Sequence, residues 1–336
     1  MICLGIETSC DETSVGIVTH DQKILAHFTH SQIKEHEIFG GVVPEIAARA
    51  HLEKIEALVL LALKEAELEI SSMDCIASTA GPGLIGGVAV GTMVAKGLAF
   101  ASSKPYVAVN HLEGHALTVR LCQDVEFPYL LLLASGGHTQ ILEVNGVGDY
   151  SCLGGTLDDA LGETFDKSAK LLCLPYPGGP AIEKLAQMGD AETFVLPKPL
   201  YKRKNCDFSL SGLKTAVREV IESRDRWEGQ ALFDLCASFQ FTICKIIEDR
   251  LTFALTQSGA PTLVVAGGVA ANKMIRKTLE DLALKFQRRF VAPPLALCTD
   301  NGAMIAWAGL ERFRLGISNE LDFPIKPRWP LEDLKT

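Results

Sequence analysis

The chain has 336 residues, of which 48% are apolar and 22% are charged, a balance that excludes an intrinsically disordered protein. With 32 basic and 41 acidic side chains the net charge is -9, which excludes a broad basic surface for nucleic acid, so any RNA would have to bind through a local patch or with a partner's help. Ten cysteines without a C-x-x-C pair are typical of reduced thiols in the cytoplasm.

The N-terminal segment predicts an antiparallel meander of three strands, at 2–6, 14–19 and 24–29, with a polar turn at 7–13. Because an apolar strand begins at once, we expect no export signal. The weakly polar stretch 88–101 is short and contains Lys96, so we also expect no membrane-spanning segment.

A second meander of similar pattern begins at Tyr129, with strands at 130–133 and 141–144 and a turn at 145–146. Further elements follow each meander: helix 44–67, strand 75–79, a helix with a capping-box start at Thr156, strand 262–265, helix 271–286 and a helix after Asp300. The sequence therefore predicts duplicated α/β layers, arranged as two lobes facing across a cleft.

A glycine-rich stretch at 81–86 has the spacing G-x-G-x-x-G of a dinucleotide site. Such a site needs an acidic residue at the end of the next strand, but that strand ends in Asn110 and His111. We expect a tight turn that opens a close-packed helix.

The turns at 7–13 and 135–139 each place small hydroxyl or glycine residues between two strands. Turns of this kind aim backbone N–H groups at an anion. One such hairpin per lobe, with a glycine-rich turn at 266–268, resembles the nucleotide-phosphate grip of the actin, Hsp70 and sugar-kinase superfamily.

His111 and His115 are spaced i and i+4, so on a helix both imidazoles can bind one metal ion. Glu113 would lie about 200° round the helix from His111 and point away, unlike the Glu of the protease motif H-E-x-x-H. Asp300 is a candidate third ligand, with the N-cap of the following helix as its alternative role.

A local run of positive charge lies between 198 and 218, where six basic side chains face one acid, Asp207. This run is either a contact for RNA phosphates or a solvated surface. The acidic residues Asp158, Asp159 and Glu163 are expected to be surface and cap residues.

A series of motifs runs in order along almost the whole chain: IETSCDET (6–13), GGVVPEIAAR (40–49), AGPGL (80–84), HLEGH (111–115), SGGHTQ (135–140), GETFDKSAKLL (162–172), YPGGP (176–180), DFSLSGLKT (207–215), AGGVAAN (266–272) and CTDNGAMIA (298–306). Together they resemble the TsaD family of tRNA N6-adenosine threonylcarbamoyltransferases. Ala134 and Leu210 are mild departures from the family pattern.

The resemblance implies an actin-like α/β fold of two duplicated lobes, 1–112 plus 301–336 and 113–300. It implies transfer of L-threonylcarbamoyl from threonylcarbamoyl-AMP to N6 of adenosine 37, in tRNAs reading codons that begin with A, with release of AMP. The implied partners are tRNA with TsaB and TsaE in bacteria, or a second copy of the chain in mitochondria. The expected location is the cytoplasm.

The resemblance also implies the site residues. It implies one metal ion per subunit, bound by His111, His115 and Asp300. Two imidazoles and a carboxylate suit Fe²⁺, with Zn²⁺ as the alternative. On chemical grounds, Asp11 and Glu12 in the first hairpin are candidates for the base that removes the amine proton. The adenylate contacts are Leu133, Ala134, Ser135, Gly136, Gly137, Asp166, Gly179, Glu183 and Asn272.

Two other functions share parts of this pattern. A metalloendopeptidase would use the His pair but lacks a correctly placed Glu. An ATPase or small-molecule kinase of the actin-like superfamily would use the two hairpins, but its Mg²⁺ needs no dedicated His pair.

Overall fold

The computed structural model describes residues 1–224 and 226–334. The strands are β1 (Ile2–Glu7), β2 (Glu12–Thr19), β3 (Ile24–Ser31), β4 (Cys75–Gly81), β5 (Tyr106–Asn110), β6 (Tyr129–Ala134), β7 (Thr139–Gly146), β8 (Asp149–Gly155), β9 (Thr262–Ala266) and β10 (Arg289–Val291). The helices are α1 (Ile33–Glu37), α2 (Pro44–Glu65), α3 (Ile85–Ser102), α4 (His111–Cys122), α5 (Leu161–Leu171), α6 (Gly178–Ala186), α7 (Ser211–Glu222), α8 (Gly229–Gln257), α9 (Lys273–Lys285) and α10 (Gly302–Arg314).

The chain divides into two compact units. The first comprises Met1–Glu126, Gly146–Tyr150 and Thr299–Thr336, and the second comprises Phe127–Asn145 and Ser151–Cys298. The division into lobes at 112 and 300 stays a prediction, and its last two residues, 335 and 336, lie outside the described part of the chain.

The sheet of the first unit has the strand order β3-β2-β1-β4-β5. Strand β1 pairs antiparallel with β2 and parallel with β4, so its buried residues lie at the centre of the sheet. Helix α10 packs closely on this strand: a Cβ added to Gly5 would lie 2.2 Å from the backbone nitrogen of Ala306. Only glycine allows this approach, which brings the start of α10 to the sheet.

The sheet of the second unit has the strand order β10-β9-β6-β7-β8. Strand β6 pairs antiparallel with β7 and parallel with β9, and β9 pairs parallel with β10. This is the order and direction of the first sheet, so the predicted duplication is confirmed. Its core packs apolar side chains of β6, β9 and α8, including Leu132, Val265 and Ile247.

Two local predictions in the second half of the chain are wrong. The helix expected from Thr156 begins at Leu161, because the carboxylate of Asp158 accepts hydrogen bonds from the backbone N–H groups of Leu210 and Ser211 and so caps α7 instead. The turn expected at 145–146 lies at 147–148, where Gly148 takes a φ of 76° that favours glycine.

Among the residues that the structure describes, two helices, α3 and α8, are long and apolar enough to cross a bilayer by length and composition alone. Core helices of soluble proteins pass the same test, and 61% of the apolar window of α8 is buried within the protein. For α3 the figure is 39%, since its outer face is apolar and exposed.

Candidate metal centre and adenylate site

Helix α4 carries the predicted His pair and begins directly after β5. The side-chain oxygen of Asn110 caps it by accepting a hydrogen bond of 2.8 Å from the backbone N–H of Leu112. His111 and His115 are both buried, and their ring centroids lie 4.8 Å apart. The prediction that HLEGH is helical is confirmed.

Asp300 lies beside both imidazoles. Its Oδ1 is 3.0 Å from Nε2 of His115 and 3.5 Å from Nε2 of His111. The three ligand atoms lie within 4.8 Å of one another. The N-cap of α10 is Asn301, which accepts from the backbone N–H of Met304, so Asp300 does not have the capping role that was its alternative.

Glu7, at the end of β1, lies behind His111 on the side away from Asp300. Its Oε2 is 3.0 Å from Nδ1 of His111, and Oγ of Ser9 is 3.1 Å from the same nitrogen. The hydroxyl of Thr79 donates to the same carboxylate. The sequence analysis did not identify Glu7 as a site residue. The only signal in the sequence was its position at the end of a strand, directly before the hairpin turn.

The carboxylates on both sides determine the charge of His111. Burial alone would lower its pKa, but Asp300 and Glu7 outweigh burial and raise the pKa of His111 to about 9. Burial would raise the pKa of Glu7, but the His111 imidazole holds it below its ordinary value. The same negative field favours a divalent cation between the rings and Asp300.

The donor set fits a metal ion. When Nδ1–H of His111 is donated to Glu7, the lone pair of Nε2 is directed at the position between the three ligands. Two imidazoles and one carboxylate suit Fe²⁺ or Zn²⁺ and leave coordination positions open for a substrate. The geometry supports a metal centre without identifying the metal.

Glu113 is turned away from this centre, as predicted. It is fully buried, and its carboxylate accepts from the Arg312 guanidinium at 2.9 Å, from the Tyr150 hydroxyl at 3.0 Å and from the backbone N–H of Gly148 at 3.0 Å. It therefore cannot serve as the water-activating base of a metalloprotease.

Asp11 lies in the turn between β1 and β2, Glu12 is the first residue of β2, and both belong to the same unit as the metal candidates. Burial, followed by the carboxylates of Asp300 and Asp11, raises the pKa of Glu12 well above its ordinary value. The predicted base candidates thus lie within electrostatic reach of the third metal ligand.

The predicted adenylate residues all belong to the second unit. Leu133 and Ala134 end β6 and are buried. Gly267, with a φ of 91°, lies against them: a Cβ there would be 2.4 Å from the Ala134 carbonyl oxygen. The carbonyls of Ser135 and Gly136 accept from the first turns of α5, so residues 135–137 lie at the start of that helix.

The remaining adenylate candidates lie at the starts of α6 and α9 or bind to them: Gly179 and Asn272 lie there, Asp166 of α5 binds to the start of α6, and Glu183 of α6 binds to the start of α9. Asp166 accepts a 2.7 Å hydrogen bond from the backbone N–H of Gly178, next to Gly179, whose Cβ position faces open space. Glu183 accepts one of 2.7 Å from the backbone N–H of Lys273. Asn272 caps α9, and its amide donates to Oε1 of Gln240 at 2.7 Å.

The adenylate candidates are therefore connected through three helix starts. The metal candidates and base candidates belong to the first unit, and the adenylate candidates to the second.

The basic run is exposed at Lys202, Arg203 and Lys204. Nζ of Lys202 lies over the Tyr201 ring, 5.6 Å from its centroid. Farther along the run, Lys214 pairs with Asp159, so that part of the local positive charge is neutralised.

The model of the family "tRNA N6-adenosine threonylcarbamoyltransferase", TsaD, matches residues 23–307. A protein of that name from Brucella canis is 55% identical over 99% of this chain and 96% of its own, and one from Brucella anthropi is 54% identical over the same shares.

Two solved structures share the fold. HypF of T. kodakarensis matches with a TM-score of 0.62 at 13% identity, over 94% of this chain and 47% of HypF. Component A of the (R)-2-hydroxyglutaryl-CoA dehydratase of Acidaminococcus fermentans matches with a TM-score of 0.54 at 15% identity, over 93% and 96%. These likenesses support the actin-like α/β fold predicted from the sequence.

Proposed function

Because the chain belongs to the tRNA N6-adenosine threonylcarbamoyltransferase family, it is an acyltransferase that forms threonylcarbamoyladenosine in tRNA, and we propose how its residues divide the work. The reaction transfers L-threonylcarbamoyl from threonylcarbamoyl-AMP to N6 of adenosine 37, in tRNAs reading codons that begin with A, and releases AMP. The peptidase and kinase alternatives are not favoured.

The chemical difficulty is the nucleophile. The lone pair of an adenine amine is delocalised into the ring, so the enzyme must hold the amine and the carbamoyl carbon in line. Adenosine 37 lies in the unpaired anticodon loop, where a base can be turned outward at low cost.

His111, His115 and Asp300 bind the metal ion, with Fe²⁺ as our first choice and Zn²⁺ as the alternative. The convergence of these three ligand atoms within 4.8 Å is the observation that carries the proposal. When bound, the ion supplies a Lewis acid and a template for substrate oxygens. Glu7 keeps His111 in the tautomer that presents Nε2 to the ion.

The adenylate binds to the second unit, through Leu133, Ala134, Ser135, Gly136, Gly137, Asp166, Gly179, Glu183 and Asn272. All of these residues belong to one unit, and hydrogen bonds connect them to the starts of α5, α6 and α9, which supports their assignment to one site.

The catalytic base is Asp11 or Glu12. A base works best when its pKa lies near the operating pH, and the raised pKa of Glu12 is a shift in that direction. This carboxylate accepts the proton that the N6 amine loses as it attacks the carbamoyl carbon.

The partners are tRNA and, because the similar relatives come from Brucella, the bacterial proteins TsaB and TsaE rather than a second copy of the chain. The outer face of α3 supports a protein partner, since Ile85, Met93 and Phe100 are 64%, 64% and 73% exposed. The protein works in the cytoplasm, where its tRNA substrates are.

Nucleoside analysis of tRNA tests the function. Cells depleted of the protein should lose threonylcarbamoyladenosine, and the wild-type gene should restore it. An Asp300→Ala gene should not restore it, and the purified variant should lack bound metal while its far-UV circular dichroism stays wild-type. Asp322→Ala, an exposed change in the same chain segment, is the matched control. Full metal occupancy in the Asp300→Ala protein would remove that ligand.

A further inference from the structure

A buried chain of hydrogen bonds begins at the start of helix α2. The backbone N–H of Val43, the N-cap residue of α2, lies 3.3 Å from Nδ1 of His36. Nε2 of His36 lies 3.1 Å from Oε1 of Gln32. Both His36 and Gln32 are fully buried, so each polar atom depends on these partners.

The series of hydrogen bonds continues through His51, which is also fully buried, to the turn between β1 and β2. The Gln32 amide nitrogen lies 3.2 Å from Nδ1 of His51, and the Thr13 hydroxyl lies 2.8 Å from the same nitrogen. Nε2 of His51 lies 3.2 Å from the carbonyl oxygen of Cys10.

The two ends of this hydrogen-bond network have fixed directions. The N–H of Val43 can only donate, so Nδ1 of His36 accepts, and the carbonyl of Cys10 can only accept, so Nε2–H of His51 donates to it. The Thr13 hydroxyl is the nearer polar group to Nδ1 of His51, and the Gln32 amide, which lies 3.2 Å from that nitrogen, is also 3.4 Å from the carbonyl oxygen of Ala47. Buried hydrogen bonds of this kind reinforce one another.

The turn so held carries the two base candidates. His51 binds the carbonyl of Cys10, and the backbone N–H of Gln32 donates to the carbonyl of Asp11 at 3.0 Å. Thr13 is bound through its hydroxyl. The backbone is thus anchored on both sides of Glu12.

We propose that His51 is a positioning residue for threonylcarbamoyl transfer, holding the turn 10–13 so that the base points at its target. The inference rests on the proposed function, since it requires Asp11 or Glu12 to be the base. His51 acts through this turn and does not itself touch the substrate.

Replacement of His51 tests the proposal, with the full chain and its partner proteins in the transfer assay. His51→Ala should lower kcat about 10- to 100-fold, the effect of a small misplacement of a reacting group, and leave the KM for tRNA, AMP affinity and metal content unchanged. His51→Gln should recover most of the rate, because its amide N–H can still donate to Cys10. His27→Ala removes a histidine of the same unit whose bond is to Thr29 and should change nothing.

A double-mutant cycle with Glu12 tests whether His51 acts through this base candidate. If His51 acts through Glu12, adding His51→Ala to a Glu12→Gln protein should cost less than the same change in the wild type. If His51→Ala does not fold, Gln32→Met takes its place in the test. This change removes the Gln32 amide that lies beside His51, and it should give the same fall in kcat. A wild-type kcat in either folded variant, or a loss confined to KM, would overturn the proposal.

The same assays distinguish a failure of the proposed function from a failure of the positioning role of His51. If the wild-type protein transfers no threonylcarbamoyl group, or if Asp11→Asn and Glu12→Gln both keep full activity, then the base assignment is wrong. If those carboxylate variants are impaired while His51→Ala is not, only the positioning role is wrong.

Discussion

Oε2 of Glu7 lies 3.0 Å from Nδ1 of His111, so a carboxylate at the end of the central strand orients a ring whose other nitrogen faces Asp300. Partners of this kind keep a histidine in the metal-binding tautomer and increase its basicity. The candidate metal centre therefore includes Glu7, which is not one of its three candidate ligands.

Glu7→Gln should weaken metal binding by about 10- to 100-fold, because the amide keeps the shape but removes the charge behind His111. Competition with a chelator of known affinity, followed by elemental analysis, measures the change. Glu45→Gln, an exposed change on α2, is the control. Undiminished affinity in a folded Glu7→Gln protein would contradict the orienting role.

Asn272→Ala should weaken AMP binding and cost about 1 kcal/mol of stability, because it removes the cap of α9 as well as an amide. Asn272→Asp separates the two effects, since it keeps the acceptor for the Ile275 N–H and loses the donor. Calorimetric titration with AMP should show weak binding for both variants. Wild-type affinity in the Asp variant would mean that the residue serves only as a cap.

Asp158 should stabilise the folded protein near neutral pH, and this stabilisation should be lost in acid. Burial would raise its pKa, but hydrogen bonds from the Leu210 and Ser211 N–H groups and from two serine hydroxyls hold the pKa at about 2, below the ordinary 3.8. A lowered pKa contributes stability above the ordinary value, and that stability is lost as pH falls toward 2. Urea midpoints between pH 5 and 2 should fall less steeply for Asp158→Asn than for wild type. Glu219→Gln, exposed on α7, should keep the wild-type slope.

Changing Lys202, Arg203 and Lys204 to Gln should weaken tRNA binding and flatten its salt dependence, because each lost phosphate contact lowers the slope of log K against log salt by about 0.7 to 0.9. Filter binding at several salt concentrations measures both quantities. Lys277→Gln with Lys285→Gln, two exposed changes on α9, is the comparison. An unchanged slope in the triple variant would assign the run to a solvated surface.

The sequence predicted what local pattern and family resemblance carry: the two meanders, the helical His pair and the return of Asp300. It did not reveal that Glu7 is the partner of His111, because the two residues are 104 positions apart and no local pattern distinguishes Glu7 from other carboxylates at strand ends. Asp158 was assigned to the wrong helix for the same reason. Its side chain binds a segment 52 residues onward, and a capping pattern reads only its own neighbours.

The separation of the metal ligands along the chain has a consequence for synthesis. His115 leaves the ribosome 185 residues before Asp300. At about 5–20 residues per second, the interval is roughly 10 to 40 s. Throughout that time the nascent protein has two imidazoles and no third ligand, and helix α10 has not yet been made to pack on strand β1. The proposed metal centre can therefore form only late in synthesis, and a ribosome stalled before residue 300 carries a chain that lacks the third ligand.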